Sequence, residues 1–246
     1  HSVSQQSQSD LQNISDDILQ DSNIDIEFVD VEKHADHPGL SVWEKEGALP
    51  QCVLVSPDGQ ILPVLIDNFR SELRSLIDSA KRREIVKKAI KHYAVVLLIE
   101  GRDDNKNQHA LEIAKSAIKH ISSKMDMLPK PIEHPPVMAS IKQNLFVDEK
   151  VLLWSLGLGA AEIDEPHLAV IYGKARWIGP LISGDQLTKS NLVNLMLIIG
   201  ADCECGLDKT WLQGTMLPLK WDVSLQKQTA NNLGFDAESP YVRMEM

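Results

Sequence analysis

Apolar residues in the first third of the chain recur at two different periods. Between residues 10 and 22 they stand three or four positions apart, which predicts a short amphipathic helix with Asp10 as its cap. In "NIDIEFVDVE", which begins at Asn23, apolar and acidic residues alternate, as they do in a half-buried strand. A brief helix is expected in "LSVWEKEG", where Gly47 marks its end.

A hairpin is predicted next, in "PQCVLVSPDGQILPVLI". Two apolar runs are separated by Pro57-Asp58-Gly59, in which proline presets φ and glycine accepts the positive φ of a tight turn. Residues 68–92 then combine helix-forming composition with an apolar stripe, so one long helix or two short ones should follow.

The second half of the chain repeats this kind of pattern. "YAVVLLIEGRDDNKNQHALEIAKSAIKHI" reads as a buried strand, a polar loop and an amphipathic helix, and strands are predicted in "VMASI" and "VLLWSLGL". "PHLAVIYGKARWIGPLI", from Pro166, parallels the hairpin that begins at Pro50, and a helix is expected in "LTKSNLVNLMLIIG". From Thr215 onward no clear period is visible, which predicts an extension that packs on a module or contacts a partner.

The stretch "FVDVEKHADHPGLSVWEKEGALPQCVLVSPDGQIL" contains a strand ending in V-D-V, a helix, a proline and a hairpin with a D-G turn. This order resembles the C-terminal four-fifths of a thioredoxin-like domain, over roughly residues 14–90. The resemblance implies an α/β fold of tandem thioredoxin-like modules, with mixed sheets flanked by helices. It also implies that Pro50 and Pro166 stand at the position where that superfamily has a cis proline.

Three segments follow from this interpretation. Residues 1–92 would form a first module that lacks its first strand and its redox motif, residues 93–222 a second module, and residues 223–246 a C-terminal extension. An oxidoreductase of this kind needs a C-x-x-C motif at the first turn of the helix after its first strand. The chain contains no such motif, and the matching loop of the second module is "GRDDNKNQH".

Net charge and hydropathy limit the possible partners. The chain has 25 Lys and Arg against 35 Asp and Glu, a net charge of −10, so nucleic acid is not expected to bind. The longest apolar run, "AVVLLIEG", is too short for a membrane span, and we expect a soluble chain. The Ser- and Gln-rich opening "HSVSQQSQSD" favours an extracytoplasmic location over a cytoplasmic one.

Cys203 and Cys205, in "GADCECGLDKTW", allow three interpretations. They can be small residues of a tight turn, or a strained disulfide that is easily reduced. They can also be two thiolate ligands for Cu(I), or half of a zinc site. A predicted helix C-terminus and acidic neighbours should raise the thiol pKa, which disfavours a nucleophilic role.

The remaining cysteine and a pair of histidines are expected to have structural roles and not chemical ones. Cys52 lies in the apolar run "CVLV", where a buried, unreactive thiol is expected. His34 and His37 have a spacing that a metal could use, but the polar loop "HADH" before a proline is typical of a solvated surface.

The C-terminal third gathers apolar side chains that have no helical or strand period. The candidate interaction residues are Trp211, Met216, Leu217 and Trp221. They would either pack on their own module or bind a partner or a second copy of the chain. We therefore expect a non-catalytic binding or assembly module without a cofactor, and the alternative is a thiol-disulfide or copper-handling protein that uses the cysteine pair.

Overall fold

A computed structural model describes residues 4–30, 32–34, 36–42, 51–57, 59–65, 68–128, 133–159, 163–199 and 216–233 of the chain. The chain divides into two compact units. Among the described residues, unit 1 comprises those up to Asp78 together with Pro218–Asp222, and unit 2 comprises Ser79–Leu217 and residues 223–233. Residues 79–92 thus belong to unit 2, whereas the sequence placed them in the first module. The division into two thioredoxin-like modules and a C-terminal extension stays a prediction.

Two helices frame unit 1. Helix α1 spans Gln5–Leu19 and helix α2 spans Phe69–Ile77, and a short 3-10 helix, Pro38–Val42, lies between them along the chain. The predicted cap of α1 was wrong: Asp10 lies inside the helix, and the side chain of Ser4 accepts the capping hydrogen bond from the backbone N–H of Ser7. Polar residues ahead of the apolar stripe extend the helix by one and a half turns toward the N-terminus.

The predicted hairpin of unit 1 is confirmed. Strands β1, Cys52–Val55, and β2, Ile61–Val64, pair antiparallel with Val55 opposite Ile61. Gly59 has a φ of +84° in the connection, the conformation for which glycine is suited. The turn is also closed by Ser56, whose hydroxyl accepts a hydrogen bond from the backbone N–H of Gln60 at 2.9 Å.

Unit 2 is built on a four-stranded mixed sheet, in the order β4-β3-β5-β6. Its strands are β3, Val95–Ile99; β4, Val137–Ile141; β5, His167–Tyr172; and β6, Arg176–Ile182. Strands β3 and β4 are parallel, and the two other pairs are antiparallel. The predicted mixed α/β class is therefore confirmed, while the tandem thioredoxin-like arrangement stays a prediction.

Five α-helices accompany this sheet within the described residues. They are α3, Ala80–Lys91; α4, Asp104–Ser122; α5, Lys150–Ser155; α6, Lys189–Ile198; and α7, Val223–Leu233. Residues 68–92 thus form two short helices, because Asp78 is extended and Ser79 caps a new helix. The predicted strand in "VLLWSLGL" was wrong: this run forms α5, whose side chains from Val151 to Ser155 are all buried.

The core of unit 2 lies on both faces of β3, all of whose residues are buried. Val96 and Leu98 join a hydrophobic cluster that includes the alanine face of α4 and the buried face of α6. Helix α3 contacts the sheet as well, and it packs against α7. A strand buried on both faces is uniformly apolar, which explains why "AVVLLI" shows no alternation.

The residues that follow Thr215 pair with both units in turn. Met216 forms a bridge with Arg176, and the backbone N–H of Leu217 donates to the carbonyl of Ala175. Lys220 forms a bridge with Ser22 in unit 1. No helix in the described ranges is long and apolar enough to cross a membrane.

Candidate functional site

A polar edge forms where β3 ends and α4 begins, facing the segment that leads into β5. We define this polar edge as residues 101–107 and 164–167. Gly101 allows the close approach: a Cβ atom there would lie 2.5 Å from the carbonyl oxygen of Asp164. The amide of Asn107, which is buried, donates to the carbonyl of Gly101 at 2.9 Å and accepts from its N–H at 2.8 Å. The side chain of Asn107 thereby ties the turn at Gly101 to the first turns of α4.

Two ion pairs cross the polar edge. Arg102 contacts Asp164 through its guanidinium, at 3.0 Å, and through its backbone N–H, which donates to the Asp164 carbonyl. The ammonium of Lys106 lies 2.5 Å from a carboxylate oxygen of Glu165. This contact lowers the pKa of the Glu165 carboxyl and raises the pKa of Lys106. The side chains of Lys106 and Glu165 are about half exposed, at 53% and 44%. Because water screens such a pair, it contributes little to the free energy of folding.

The N-terminus of α4 is already satisfied at this edge. The carboxylate of Asp103 accepts hydrogen bonds from the backbone N–H groups of Asn105 and Lys106, at 2.8 and 3.2 Å. A capping carboxylate occupies the donors that would otherwise bind an anion or stabilise a thiolate. In the facing segment, burial lowers the pKa of His167. The polar edge contains no thiol or hydroxyl nucleophile.

The predicted site residues are only partly described. Pro166 is buried and stands directly before β5, and its role as a cis proline stays a prediction. Pro50, Cys203, Cys205 and Trp211 lie outside the described residues, so the three interpretations of the cysteine pair stay open. Cys52 is in β1 and half-buried, and burial raises the pKa of its thiol, which agrees with the predicted unreactive role. The Nδ1 atom of His37 accepts from the N–H of Gly39 in a turn.

The described C-terminal candidates are largely buried. Leu217 and Trp221 have exposed fractions of 0% and 2%, and Met216 is half-buried. The N–H of Trp221 donates to the carbonyl of Asp21 within unit 1. Burial within the chain favours the packing alternative for these side chains, and their role in an interaction stays a prediction.

A second exposed feature lies in unit 1 and is called here the acidic segment, Asn23–Asp30. Leu219 fixes its beginning, because its N–H donates to the side-chain oxygen of Asn23 at 2.9 Å. A turn fixes its end, where the backbone N–H groups of Lys33 and His34 donate to the carbonyl of Asp30. The predicted strand at this position was wrong: these residues lie outside the helices and strands, and they pair with no strand among the described residues.

Between its two fixed ends the acidic segment is open to solvent. Among the described residues, the backbone of Ile26–Val29 makes no hydrogen bond. Phe28 is 42% exposed, and Asp25 and Glu27, which precede it, are exposed as well. An extended backbone with free donors and acceptors can accept a further strand.

The cross-edge ion pairs were not found from sequence. Arg102 and Asp164 are far apart along the chain, and neither belongs to a motif. The order of the predicted strands could have indicated the polar edge. Residues that follow one strand and residues that precede its antiparallel neighbour lie at the same edge of a sheet.

Searches of family models, of curated proteins and of solved structures found no match to this chain. The sheets and helices make it a mixed α/β protein. A fold class does not determine a function, so the function must be argued from the residues of the site.

Proposed function

We propose that this chain is a non-catalytic thioredoxin-like binding or assembly module for another protein. The order of elements in unit 2 supports the thioredoxin-like part, because a strand, a helix, a strand, a helix, Pro166, a hairpin and a helix follow one another. Unit 1 supplies a helix, a hairpin and a helix, which is compatible with the incomplete first module of a tandem.

The polar edge is the observation that carries the non-catalytic part of this proposal. In a thioredoxin-like module the turn after β3 would hold the redox motif. Here Arg102 and Lys106 bind the facing carboxylates, and Asp103 caps the helix. Without a sulfur atom at this turn, thiol-disulfide exchange by the usual route has no nucleophile.

The acidic segment is the surface on which we expect the partner to bind. Strand addition needs a segment outside the existing sheets whose backbone donors and acceptors are unpaired. Ile26–Val29 lies outside helix and strand, and among the described residues its backbone makes no hydrogen bond. Phe28 offers apolar contact on the same stretch. The carboxylates of Asp25 and Glu27 favour a partner strand in which apolar residues alternate with Lys or Arg.

A display library of short random peptides, selected on the full chain, tests this proposal. Selected peptides should alternate apolar and basic residues. Phe28→Asp should weaken their binding about tenfold or more, because it removes the apolar contact and places a carboxylate opposite the apolar residues of the added strand. Ile26→Pro should also weaken it, because proline has no N–H to donate to an added strand.

Val147→Asp is the matched control, since Val147 is an exposed apolar residue of unit 2, at 80%. It should leave the affinity unchanged. Equal binding by the parent and the Phe28→Asp chain, or equal losses in Phe28→Asp and Val147→Asp, would overturn the acidic segment as the binding surface.

The competing function, thiol-disulfide or copper handling through Cys203 and Cys205, is separated by a second measurement. Thiol titration in a series of glutathione buffers, together with metal analysis, should reveal neither a reversible two-electron couple nor stoichiometric metal that depends on the cysteines. A couple or a bound Cu(I) ion that disappears on Cys203→Ser and Cys205→Ser would favour the competing function.

A further inference from the structure

His92 and His134 lie side by side where the parallel strands β3 and β4 begin. Each histidine precedes its strand by three residues, and the two form a parallel bridge that continues the register of Val95 and Val137. The backbone N–H of Tyr93 donates to the carbonyl of His134 at 2.9 Å. Because paired residues of neighbouring strands point to the same face of a sheet, the backbone itself holds the two imidazoles together.

The spacing of the two rings suits a shared metal ion. Their centroids are 5.5 Å apart, with planes inclined by 43°. When two imidazoles bind one tetrahedral ion at Zn–N distances of about 2.0–2.1 Å, their ring centres are roughly 5–5.5 Å apart. His134 is exposed and His92 is half-buried, so an ion has access from solvent.

One ring is also oriented as metal ligands usually are. Nδ1 of His92 lies 2.8 Å from the carbonyl oxygen of Pro135. A carbonyl only accepts, so Nδ1 carries the proton and the neutral ring has its lone pair on Nε2. Histidine ligands commonly donate their second N–H to a backbone carbonyl in this way, which fixes both the tautomer and the ring plane.

We propose that His92 and His134 bind one first-row divalent metal ion, with Cu²⁺ bound more tightly than Ni²⁺ or Zn²⁺. In the described ranges, no group of three or more His, Cys, Asp or Glu side chains is placed to hold a metal. The two imidazoles therefore supply two ligands, and the other coordination positions are open to water or to an external ligand. This site is independent of the Cys203 and Cys205 pair and of the proposed binding function.

Zinc titration of the full chain tests the site. Cys203→Ser and Cys205→Ser are introduced first, so that thiolates do not compete, and binding is measured by calorimetry. We expect one Zn²⁺ per chain. His92→Gln or His134→Gln should each weaken the affinity at least tenfold, since loss of a ligand costs no less than loss of an outer-shell partner. His109→Gln, at an exposed histidine of α4, is the matched control and should have no effect.

Imidazole nitrogen NMR on the chain with both histidines intact gives an answer that does not depend on the folding of a variant. Added Zn²⁺ should shift the resonances of His92 and His134 at the same stoichiometry. A shift of one ring alone, no shift at either ring, or unchanged affinity in His92→Gln or His134→Gln would overturn the proposal.

Discussion

Tyr93 lies between helix α3 and strand β3. Its hydroxyl group donates to backbone carbonyls at the C-terminal end of helix α6. The hydroxyl donates to the carbonyls of Met196 and Ile199, at 2.9 and 3.0 Å, in a fully buried position. Tyr93→Phe should lower the free energy of unfolding by about 1–3 kcal/mol, because the carbonyls of Met196 and Ile199 each lose a buried hydrogen bond. Urea denaturation measures this change, and an unchanged midpoint would show that the hydroxyl contributes nothing.

Tyr93 should also make the free energy of unfolding depend on pH. Burial raises the pKa of Tyr93 to about 12, so its contribution to stability is fully present below the unfolded pKa of about 10. As pH rises from about 10 toward 12 the unfolded chain loses this proton first, and stability falls. Tyr93→Phe should make that fall less steep. Parallel slopes for the two proteins over this range would contradict the assignment.

Two glycines offer a matched test of close backbone approach. Gly101→Ala would place a Cβ atom 2.5 Å from the Asp164 carbonyl oxygen, and the backbone must move to accept it. We expect a loss of about 1–3 kcal/mol in the free energy of unfolding. Gly159→Ala meets no atom within 4 Å and should change it by less than about 1 kcal/mol. Similar effects from both changes would contradict the packing of the polar edge.

At the scale of elements, the acidic segment and β3 should differ strongly in amide hydrogen exchange. Ile26–Val29 has no backbone hydrogen bond among the described residues, so its amides should exchange at nearly unprotected rates. The amides of Val95–Ile99, which lie in a buried central strand, should be among the slowest. Protection of Ile26–Val29 in the free chain would show that the segment is already paired.

Elements were predictable wherever the local pattern excluded alternatives. The hairpin of β1 and β2 follows from its turn residues, and the helix α4 follows from its apolar stripe. The run "VLLWSLGL" was misread because a short, wholly apolar stretch has the same pattern in a buried strand and in a buried helix. Helix α7 was missed because few of its residues are buried, which leaves only a faint stripe.

The candidate surfaces were less predictable than the elements, for a physical reason. "NIDIEFVDVE" has the correct period for an extended chain, but period alone does not say whether a neighbouring strand exists. The pairing of Arg102 with Asp164 and of His92 with His134 depends on strand order, which is a non-local property. Only a predicted register of β3 with β4 would have brought the two histidines together.

At the scale of the whole molecule, the segment Pro218–Asp222 belongs to unit 1, although the residues on both sides of it belong to unit 2. Trp221, 2% exposed, is its largest buried side chain. Trp221→Ala should therefore lower the free energy of unfolding by about 3–5 kcal/mol, as expected when a large core side chain is removed. Thermal denaturation followed by circular dichroism measures the loss.

Val223→Ala provides the control for this change, since Val223 is 59% exposed and stands two residues away. Its effect should stay within about 0.5 kcal/mol. A stable Trp221→Ala chain that no longer self-associates would instead support the interaction role that the sequence left open for this residue.

The discontinuous path of the chain also sets an order of events during protein synthesis. Domains ordinarily fold in the order in which they leave the ribosome. Here the backbone partners of Asp21, Asn23 and Ile77 emerge only after every strand of the four-stranded sheet has been made. Unit 1 thus stays incomplete until residues 218–222 have been made. A chain that stops after residue 217 keeps every strand of the sheet of unit 2, but it lacks helix α7 and also the residues that pair with Asp21, Asn23 and Ile77, about 200 positions earlier for the first two.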